Sequence, residues 1–427
     1  MHSEKEVSEI SMAISPVTDG HYACRSCGGK LHPFVDLGVS PLCESFLAPS
    51  ELDVGETFYP LDVKICSECW LAQLPEYVSP QRIFNEYAYF SSYSEAWLEH
   101  ARKFVNLAVS RFGLGTANFI IEIASNDGYL LRNAVALGIP CLGIEPAANV
   151  AKAAEAAGVP TRVAFFGRDL AAELRADGKQ ADLIVANNVL AQVPDLNDFV
   201  AGLRMVLQPD GVITLEFPHL LRLIEGNQFD TIYHEHFSYF SLFSVECLLA
   251  RHGMRVFDVE ELWTHGGSLR LFCCHSLSDR PETSQLHMVR SHEAAAGLLD
   301  LRTYNVFNDR VTGTKRKLLA LLIEIKNAGG KVAAYGAPGK GNTLLNYCGI
   351  RTDFLDFTVD RNPYKHGRFL PGTRIPVHPP EAIAEMKPDY VLILPWNLKD
   401  EIINQLAYVR SWGGRFIIPI PEPLIIE

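Results

Sequence analysis

The chain has 427 residues, 48% of them hydrophobic, and carries a formal net charge of -12. This length predicts two or three globular domains, because a domain usually holds roughly 100–200 residues. The acidic balance argues against a broad nucleic-acid surface, and no run reaches the roughly 20 apolar residues that a membrane helix needs.

The N-terminal segment reads MHSEKEVSEISMAIS, which mixes acidic with basic residues and has no apolar core. It lacks the features of a secretory signal. We therefore expect a frayed tail and a cytoplasmic protein that binds neither nucleic acid nor a membrane. Six of the ten cysteines stand mostly in apolar surroundings and are expected to be buried thiols in a reducing compartment, namely Cys43, Cys141, Cys247, Cys273, Cys274 and Cys348.

The other four cysteines form two Cys-x-x-Cys pairs, Cys24 with Cys27 and Cys66 with Cys69. This spacing lets both thiolates of a pair face one ion, and four thiolates complete the closed tetrahedral shell of a structural zinc site. A module this small needs such a metal to be stable. A redox Cys-x-x-Cys and two unrelated cysteine pairs are the alternatives.

Residues 84–94 read FNEYAYFSSYS, a segment rich in aromatic and hydroxyl side chains. One interpretation is a linker that packs on the next domain. The other is a lid over a cofactor, with Tyr87 directed at the reacting centre. Both interpretations stay open at this point.

Residues 119–146 predict a site for a nucleoside cofactor. An apolar strand (119–123) ends in the loop ASNDG, a helical pattern follows, and a second strand (141–144) ends at Glu145. Backbone N–H groups at a helix N-terminus bind polar ligand groups, and a carboxylate at the second strand end can accept both hydroxyls of a ribose. The Gly-x-Gly-x-x-Gly spacing of NAD enzymes is absent, and the loop is similar to the first motif of S-adenosylmethionine (SAM) methyltransferases. A βαβ unit without a ligand is the alternative.

Strands and helices continue to alternate after this region, with helices at 147–157 and 196–207 and strands at 181–186 and 211–217. The alternation predicts an α/β fold with a mostly parallel, doubly wound sheet. Ligands of such sheets bind at the carboxyl ends of the strands. Several polar residues fall at these ends, namely Ser125, Asn126, Asp127, Glu145, Asn187, Asn188, Glu216 and His219.

The segment TIYHEHFSYF (231–240) is the predicted chemical centre. It places Tyr233, Glu235 and His236 close together. Histidine is a base near neutral pH, a carboxylate can orient it, and a phenol can donate a hydrogen bond to an oxyanion. Proton abstraction beside a carbonyl needs this combination, and the resulting enolate can attack an electrophilic methyl group. A metal cluster and a surface histidine pair are the alternatives.

The segment WTHGGSLRLF (263–272) begins with a turn and continues as a strand. Gly266 and Gly267 allow close approach of the backbone. His265 and Ser268 therefore either line the site or simply close a hairpin.

The last third of the chain predicts a second, smaller Rossmann-like unit after a mostly helical connector at 287–328. Residues 331–345 give a strand, a glycine-rich loop and a helix, and further strands follow at 354–360, 389–394 and 414–419. The backbone N–H groups of the loop, the helix dipole and Lys340 suit a diphosphate. Lys365, His366 and Arg368 add local positive charge, and the Gly-Lys-Ser/Thr ending of an NTPase loop is absent. A degenerate fold without a ligand is the alternative.

Taken in order, the motifs resemble those of the SAM-dependent sugar C-methyltransferases of bacterial deoxysugar and antibiotic pathways, across essentially the full chain. The resemblance rests on the paired Cys-x-x-Cys module and on EIxSNDG, GIEP, NNVLA, YHEHF, HGGSLR and YGAPGKGN. It implies a zinc-binding domain at 1–86, a SAM-binding methyltransferase domain at 87–303, and a Rossmann-like domain at 304–427 that contributes to binding a dTDP-linked keto-deoxysugar. The implied reaction adds a methyl group to a dTDP-4-keto-6-deoxyhexose next to the keto group, with C3 preferred over C5.

The resemblance also implies roles for single residues. His236 would be the base, supported by Glu235 and Tyr233, with Tyr87 near the sugar. The expected SAM contacts are Glu122, Ser125, Asn126, Asp127, Gly128, Glu145, Pro146 and Asn188. The expected substrate contacts are His265, Ser268, Gly336, Lys340, Gly341, Asn342 and Lys365. A monomer or small homo-oligomer is expected.

Two residues depart from the family pattern. Ala124 stands where the family usually has glycine, and its methyl group narrows the turn and weakens the SAM contact slightly. Gln192 stands where the family usually has histidine; it cannot take a proton but can hydrogen-bond a hydroxyl or keto group. These departures leave room for a catalytically impaired binding homologue, and another SAM-dependent O- or N-methyltransferase of a small metabolite is a further alternative.

Overall fold

The computed structural model describes residues 23–84 and 91–427. The N-terminal part is built on a long antiparallel hairpin with a short third strand. Its elements are β1 (Leu31–Ser40), β2 (Tyr59–Cys66), β3 (Ala72–Gln73) and α1 (Pro80–Phe84). The two Cys-x-x-Cys turns flank this hairpin, because Leu31 of β1 is paired with Cys66 of β2.

The central part alternates strands with helices as the sequence predicts. Its elements are α2 (Glu95–Phe112), β4 (Ile120–Ile123), α3 (Leu131–Ala136), β5 (Cys141–Ile144), α4 (Ala148–Ala156), β6 (Thr161–Arg162), α5 (Arg168–Ala176), β7 (Ala181–Asn187), α6 (Leu196–Val206), β8 (Leu207–Pro218), α7 (Leu220–Glu225), β9 (Ser238–Tyr239), α8 (Leu242–Arg251), β10 (Met254–Leu262) and β11 (Ser268–His275). Seven of these strands form a sheet in the order β10-β11-β8-β7-β4-β5-β6. The five strands from β8 to β6 run parallel, whereas β11 and β10 are antiparallel additions. The prediction of an α/β fold with a mostly parallel sheet is confirmed.

The C-terminal part is a second sheet with helices, reached through a helical connector. The connector comprises α9 (Ser284–Ala295), α10 (Leu301–Asn305) and α11 (Phe307–Asn327). The sheet and its helices comprise β12 (Val332–Tyr335), α12 (Gly339–Cys348), β13 (Thr358–Val359), β14 (Val377–His378), α13 (Ala382–Met386), β15 (Tyr390–Ile393), α14 (Lys399–Gln405), β16 (Arg415–Ile418) and β17 (Leu424–Ile426). Its strand order is β14-β13-β12-β15-β16-β17, parallel except for the last pair.

Helix α2 shows how sequence spacing builds the core beneath the site. Its buried residues recur every three or four positions, as in Ala101, Phe104, Val105 and Ala108. They belong to the same apolar cluster as Leu183 and Val185 of β7. Full burial of a side chain such as Phe104 stabilises the fold by about 1.5–3 kcal/mol. The Ser94 hydroxyl caps the start of the helix by accepting the N–H of Trp97.

The three sheets are joined by chain segments that are distant in sequence. Strand β9 lies in the range expected for the central domain, yet it pairs with β3 and completes the N-terminal sheet. Leu47 and Phe369 form an antiparallel bridge between the N-terminal and C-terminal parts. None of the helices in residues 23–84 and 91–427 combines the length and the apolar character that a membrane-spanning helix needs.

Candidate active site

A cavity of about 610 Å³ lies where the three parts of the chain meet. The N-terminal part contributes Cys43, Glu44, Pro80 and Gln81, and the C-terminal part contributes Pro338, Gly339, Lys340 and Lys365. The central part supplies the rest of the lining, mostly from the carboxyl ends of its parallel strands, including Asn126, Glu145, Asn188, Gln192, Tyr233, Glu235, His236 and His265. The structure therefore brings part of the predicted cofactor site (Asn126, Glu145 and Asn188) and the predicted chemical centre (Tyr233, Glu235 and His236) to one cavity.

The loop after β4 is shaped to hold the Glu145 carboxylate at the edge of this cavity. The N–H of Asn126 donates to Glu145 Oε2 and the N–H of Ala147 donates to Oε1, each at 2.9 Å. Burial raises the pKa of Glu145, although the two N–H groups oppose that shift. Gly128 has a φ of 76°, and a Cβ there would lie 2.8 Å from Val159, so the turn requires glycine.

Some residues of the predicted cofactor site line the cavity, and others do not. Ala124, Asn126, Glu145, Pro146 and Asn188 line the cavity. Those outside the lining are Glu122, Ser125, Asp127 and Gly128, and burial raises the pKa of Glu122 well above its usual range.

Asn187 and Asn188, at the end of β7, indicate that a polar ligand fits in the cavity. The side-chain oxygen of Asn187 and both amide atoms of Asn188 are buried without a hydrogen-bond partner, and both residues line the cavity. Asn188 also has a φ of 56°, a strained conformation for a residue other than glycine. Unpaired buried amides cost free energy unless a ligand completes them. Together with Glu145, they fit a polar nucleoside cofactor.

His236 has the geometry of a neutral base. Its Nδ1 lies 3.0 Å from the carbonyl oxygen of Thr231, so Nδ1 carries the proton and Nε2 keeps its lone pair. Burial lowers the pKa of His236 to about 4, helped by the Lys340 cation and opposed by the Thr231 carbonyl. Its ring stands 4.1 Å from the Tyr233 ring, measured between centroids. The imidazole is therefore unprotonated near neutral pH and lines the cavity.

Glu235 does not orient this histidine in the expected way. Its Oε1 atom lies 3.5 Å from Cys43 Sγ, while the Thr231 carbonyl holds the imidazole. Burial and the nearby Glu44 raise the pKa of Glu235 to about 8. Burial also raises the pKa of Tyr233 well above its usual range, so its phenol stays protonated.

The neighbouring histidine His234 has a structural place. Its Nε2 faces the carbonyl oxygens of Tyr59 and Pro60 at 3.3 and 3.1 Å, and the side chain is buried.

Gln192 lines the cavity from the short 3₁₀ turn Leu190–Gln192 after β7. Tyr87, the expected sugar neighbour, lies outside the described residues.

His265 reaches the cavity through a strained turn. Its φ is 55°, in the left-handed region that residues other than glycine rarely adopt, and its ring meets Trp97 edge to face at 5.6 Å. Burial and Lys340 lower the pKa of His265 to about 4. Ser268 lies outside the lining, where its hydroxyl donates to the Thr264 carbonyl at 2.9 Å.

Two polar residues at strand ends belong to the protein interior instead of the cavity lining. His219 Nε2 lies 2.7 Å from Glu293, whose carboxylate also accepts N–H groups at the start of α8. Glu216 lies 2.7 Å from Arg270 and 3.2 Å from His100. Arg270 and His100 lower the pKa of Glu216 against the opposing effect of burial. Both residues stand at the end of β8, as the sequence predicts, but neither lines the cavity.

The two lysines of the C-terminal part line the cavity with protein partners of their own. Lys340 Nζ donates to Asn397 Oδ1 at 2.8 Å, and Lys365 Nζ donates to the Ala337 carbonyl at 2.9 Å. Burial lowers the pKa of Lys340. Three further predicted substrate residues stand outside the lining, namely Gly336, Gly341 and Asn342.

Some hydrogen-bonding groups of the loop before α12 already have partners within the protein. The N–H of Ala337 donates to Asp360 Oδ2 at 2.7 Å, and the His366 ring faces the Asp360 carbonyl. A side chain at Gly336 would meet Pro395, and one at Gly341 would meet Leu394. These glycines therefore serve close packing.

The four cysteines of the N-terminal part form a cluster suited to zinc. Their sulfur atoms lie within 4.8 Å of one another, and the pairs Cys24–Cys69 and Cys27–Cys66 are each 3.5 Å apart. A tetrahedral zinc site needs sulfur atoms about 3.8 Å apart. The N–H of Gly29 points at Cys27 Sγ at 3.4 Å. The chain thus supplies the full shell of a structural zinc ion, as predicted.

Sequence reasoning missed the cavity residues Cys43 and Glu44. Cys43 was expected to be one more buried thiol, and its burial is confirmed. Its contact with Glu235 joins residues 192 positions apart. No local pattern marks such a contact, because the N-terminal hairpin approaches the central sheet only in the folded chain.

Three family models together match most of the chain. They are a putative zinc binding domain at residues 24–84, a methyltransferase domain at 97–259 and a C-methyltransferase C-terminal domain at 263–421. The chain is 38% identical over 405 residues to C-methyltransferase NovU of Streptomyces niveus, covering 95% of this chain and 96% of NovU.

Two solved methyltransferase structures each match less than half of the chain. Magnesium protoporphyrin IX methyltransferase from Synechocystis PCC 6803, with bound SAH, is 16% identical and covers 42% of this chain and 83% of its own, with a TM-score of 0.33. The glycopeptide N-methyltransferase MtfA is 15% identical and covers 41% of this chain and 94% of its own, also with a TM-score of 0.33.

Proposed function

The chain belongs to the family of SAM-dependent C-methyltransferases, and we propose that its substrate is a dTDP-4-keto-6-deoxyhexose methylated next to the keto group. C3 is the first candidate position and C5 the second. The observation that carries this proposal is the position of a neutral histidine base, His236, in the same cavity as the cofactor loop and Glu145. A carbon beside a ketone must lose a proton before it can attack a methyl group, and His236 is suited to remove it.

The proposed cofactor site uses the carboxyl ends of β4, β5 and β7. SAM, when bound, supplies an electrophilic methyl group. Glu145 would accept the ribose hydroxyls, since its carboxylate is held in place by two backbone N–H groups. Asn126, Asn187 and Asn188 would complete the polar contacts from the cavity wall.

The proposed chemical step starts at Nε2 of His236. This atom takes the proton from the carbon beside the keto group, so the C–H bond breaks and its electron pair forms the enolate. The proton stays on Nε2, while Nδ1–H remains bound to the Thr231 carbonyl. That carbonyl stabilises the imidazolium that forms. The enolate carbon would then take the methyl group that SAM supplies, as the methyl–sulfur bond breaks and S-adenosylhomocysteine leaves, and the ketone would be restored.

Tyr233 and Gln192 would assist this step from the cavity wall. The protonated Tyr233 phenol is able to donate a hydrogen bond to the developing enolate oxygen. Gln192 would hydrogen-bond a hydroxyl or keto oxygen without taking a proton. Tyr87 would lie near the sugar.

The sugar nucleotide would enter from the C-terminal side. Lys340 and Lys365 line the cavity, and each ammonium has three hydrogen-bond donors, so a protein partner does not exhaust it. We propose that these lysines face the diphosphate. The domains would be 1–86, 87–303 and 304–427, and the enzyme would act in the cytoplasm as a monomer or small homo-oligomer.

The test is incubation with SAM and a panel of dTDP-4-keto-6-deoxyhexoses, followed by mass spectrometry and NMR of the product. A new methyl group on a ring carbon beside the ketone supports the proposal, and NMR assigns C3 or C5. Methyl transfer to oxygen or nitrogen instead would contradict it.

A second experiment separates C-methylation from the O- and N-methyltransferase alternatives. In deuterium oxide without SAM, His236 should exchange the proton of the carbon beside the ketone. A bound sugar that shows no exchange would argue against a base acting on carbon. Calorimetry that detects neither SAM nor S-adenosylhomocysteine binding would favour a catalytically impaired homologue.

A further inference from the structure

The N-terminal part does more than carry the cysteine cluster, because the loop after β1 enters the cavity that contains His236. Cys43 and Glu44 both line this cavity. Cys43 is buried, and its thiol donates to Glu235 Oε1 at 3.5 Å. Glu44 Oε2 lies 3.8 Å from Lys365 Nζ. Side chains from all three parts of the chain therefore surround one polar corner of the cavity.

The position of Glu44 is fixed by the backbone. Three residues later, Leu47 and Phe369 exchange two backbone hydrogen bonds of 3.0 and 2.9 Å. Farther along the same loop, Glu56 accepts the N–H of Gly372 at 2.6 Å and lies 3.1 Å from Arg374. The loop is thus attached to the C-terminal part at two points that follow Glu44 in the chain. A carboxylate held this way is pre-organised, and a bound group would not have to order it.

Two carboxyl groups, Glu44 and Glu235, share the cation Lys365 in this corner. Lys365 lies beside Glu44, and the other lysine of the cavity, Lys340, interacts with Asp230 outside the lining. Glu235 is left with a neutral thiol as its hydrogen-bond partner. A buried carboxyl group with few hydrogen-bond donors around it is costly. The corner is therefore complementary to a group that donates hydrogen bonds.

We propose that Glu44 and Glu235 bind a hydrogen-bond-donating substituent of the substrate ring, a hydroxyl or an amine, and that Glu44 is a specificity-determining residue supplied by the N-terminal part. The proposal rests on the proposed function, since it concerns the sugar held beside His236. A ring hydroxyl would donate to the carboxylates directly. A protonated amine would also add a positive charge beside the two carboxyl groups and favour the ionised form of Glu235.

The test compares Glu44→Gln with wild type in direct binding. Glutamine keeps the size of the side chain and removes its charge. Calorimetry would use dTDP alone and pairs of dTDP-sugars that differ only in carrying a hydroxyl, an amine or hydrogen at one ring position. Asp53→Asn, a change at an exposed residue of the same loop region, is the matched control.

We expect Glu44→Gln to weaken binding of the donor-bearing sugar about tenfold, the usual effect of losing a hydrogen bond to a charged group. Binding of dTDP and of the matching deoxy sugar should stay within about twofold of wild type. In turnover, KM should rise for the donor-bearing sugar more than kcat falls. Whichever of the hydroxyl and amine sugars loses more affinity in Glu44→Gln carries the substituent that Glu44 binds. Zinc content and melting temperature should equal those of wild type, and Glu44→Asp serves as a second variant if they do not.

Equal loss for donor-bearing and deoxy sugars, or no loss for either, would overturn this inference while leaving the proposed function intact. The inference would also be overturned if Asp53→Asn reduced the preference for donor-bearing over deoxy sugars as much as Glu44→Gln does. If wild type binds these sugars but methylates none of them, the proposed function fails and the binding comparison still decides the role of Glu44. If wild type binds no dTDP-sugar, both proposals fail.

Discussion

His236 Nδ1 lies 3.0 Å from the carbonyl oxygen of Thr231, a residue five positions earlier in the chain. This contact determines which nitrogen carries the proton and leaves Nε2 as the basic atom in the cavity. Because the partner is a backbone carbonyl, the ring orientation survives changes in the protonation of nearby carboxyl groups. The base is therefore oriented independently of Glu235, whose own pKa is raised to about 8.

We expect His236→Asn to lower kcat by about 10²–10⁴-fold, the usual contribution of a general base. Calorimetric SAM binding should change little, because the cofactor loop does not depend on this ring. His234→Asn is the control, since His234 binds backbone carbonyls at 3.1 and 3.3 Å and does not line the cavity. It should lower the melting temperature and leave most of kcat. Unchanged methyl transfer by His236→Asn would contradict its role as the base.

On the acid side of its pH profile, kcat/KM should fall only at a low pH, near the pKa of His236. Burial lowers the pKa of His236 to about 4, so the base is lost only as pH falls toward that value and gains a proton. An ordinary histidine would lose its lone pair below about 6.5. The charged and titratable groups that affect or face this ring are Tyr233, Tyr239, Lys340 and His265. A profile measured from pH 5 to 8 that falls with an apparent pKa near 6.5 would argue against a buried neutral histidine.

Glu145→Gln should weaken SAM binding about tenfold or more. The amide replaces a charged acceptor, and its NH₂ group would face one of the two N–H groups that now donate to the carboxylate. Calorimetry with SAM measures the loss. Glu155→Gln, an exposed position on α4, is the matched control and should bind SAM like wild type. Equal affinity of the two variants would remove Glu145 from the cofactor site.

Removal of zinc should unfold the N-terminal sheet and lower activity. We expect one zinc ion per chain, and Cys66→Ser should lose it together with several degrees of melting temperature. Structural zinc contributes about 10–16 kcal/mol of apparent binding free energy to small modules. Cys247→Ser is the control, because this half-buried thiol lies on α8 outside the cluster. The measurements are metal content and thermal denaturation. A Cys66→Ser protein that retains zinc and melts like wild type would contradict the four-thiolate site.

Much of the central fold could be predicted from local sequence. The apolar runs before Ala124 and Glu145 became β4 and β5, since burial on both faces of a parallel sheet requires continuous apolar strands. Cysteine spacing identified the metal cluster because a two-residue gap suffices to bring two thiolates together. Glu145 could be predicted as a cofactor residue because ligands of such sheets bind at the carboxyl ends of the strands.

The same rule does not say which strand-end side chains face the cavity, because packing decides the direction of each side chain. Glu216 also stands near the end of a parallel strand, yet Arg270 of the antiparallel neighbour draws its carboxylate into the interior. His234 and His236 are equivalent in local pattern, but one meets the backbone of β2 and the other the cavity.

The sequence by itself determined strands β4, β5, β7 and β8, the ligand set for zinc and the candidate base, because each is marked by a short local pattern. Only the tertiary structure decided that Thr231 orients His236 and that Cys43 and Glu44 enter the cavity. Those relationships depend on how the three sheets pack against each other. Such packing is set by the complementary shapes of whole surfaces, which no short stretch of sequence contains.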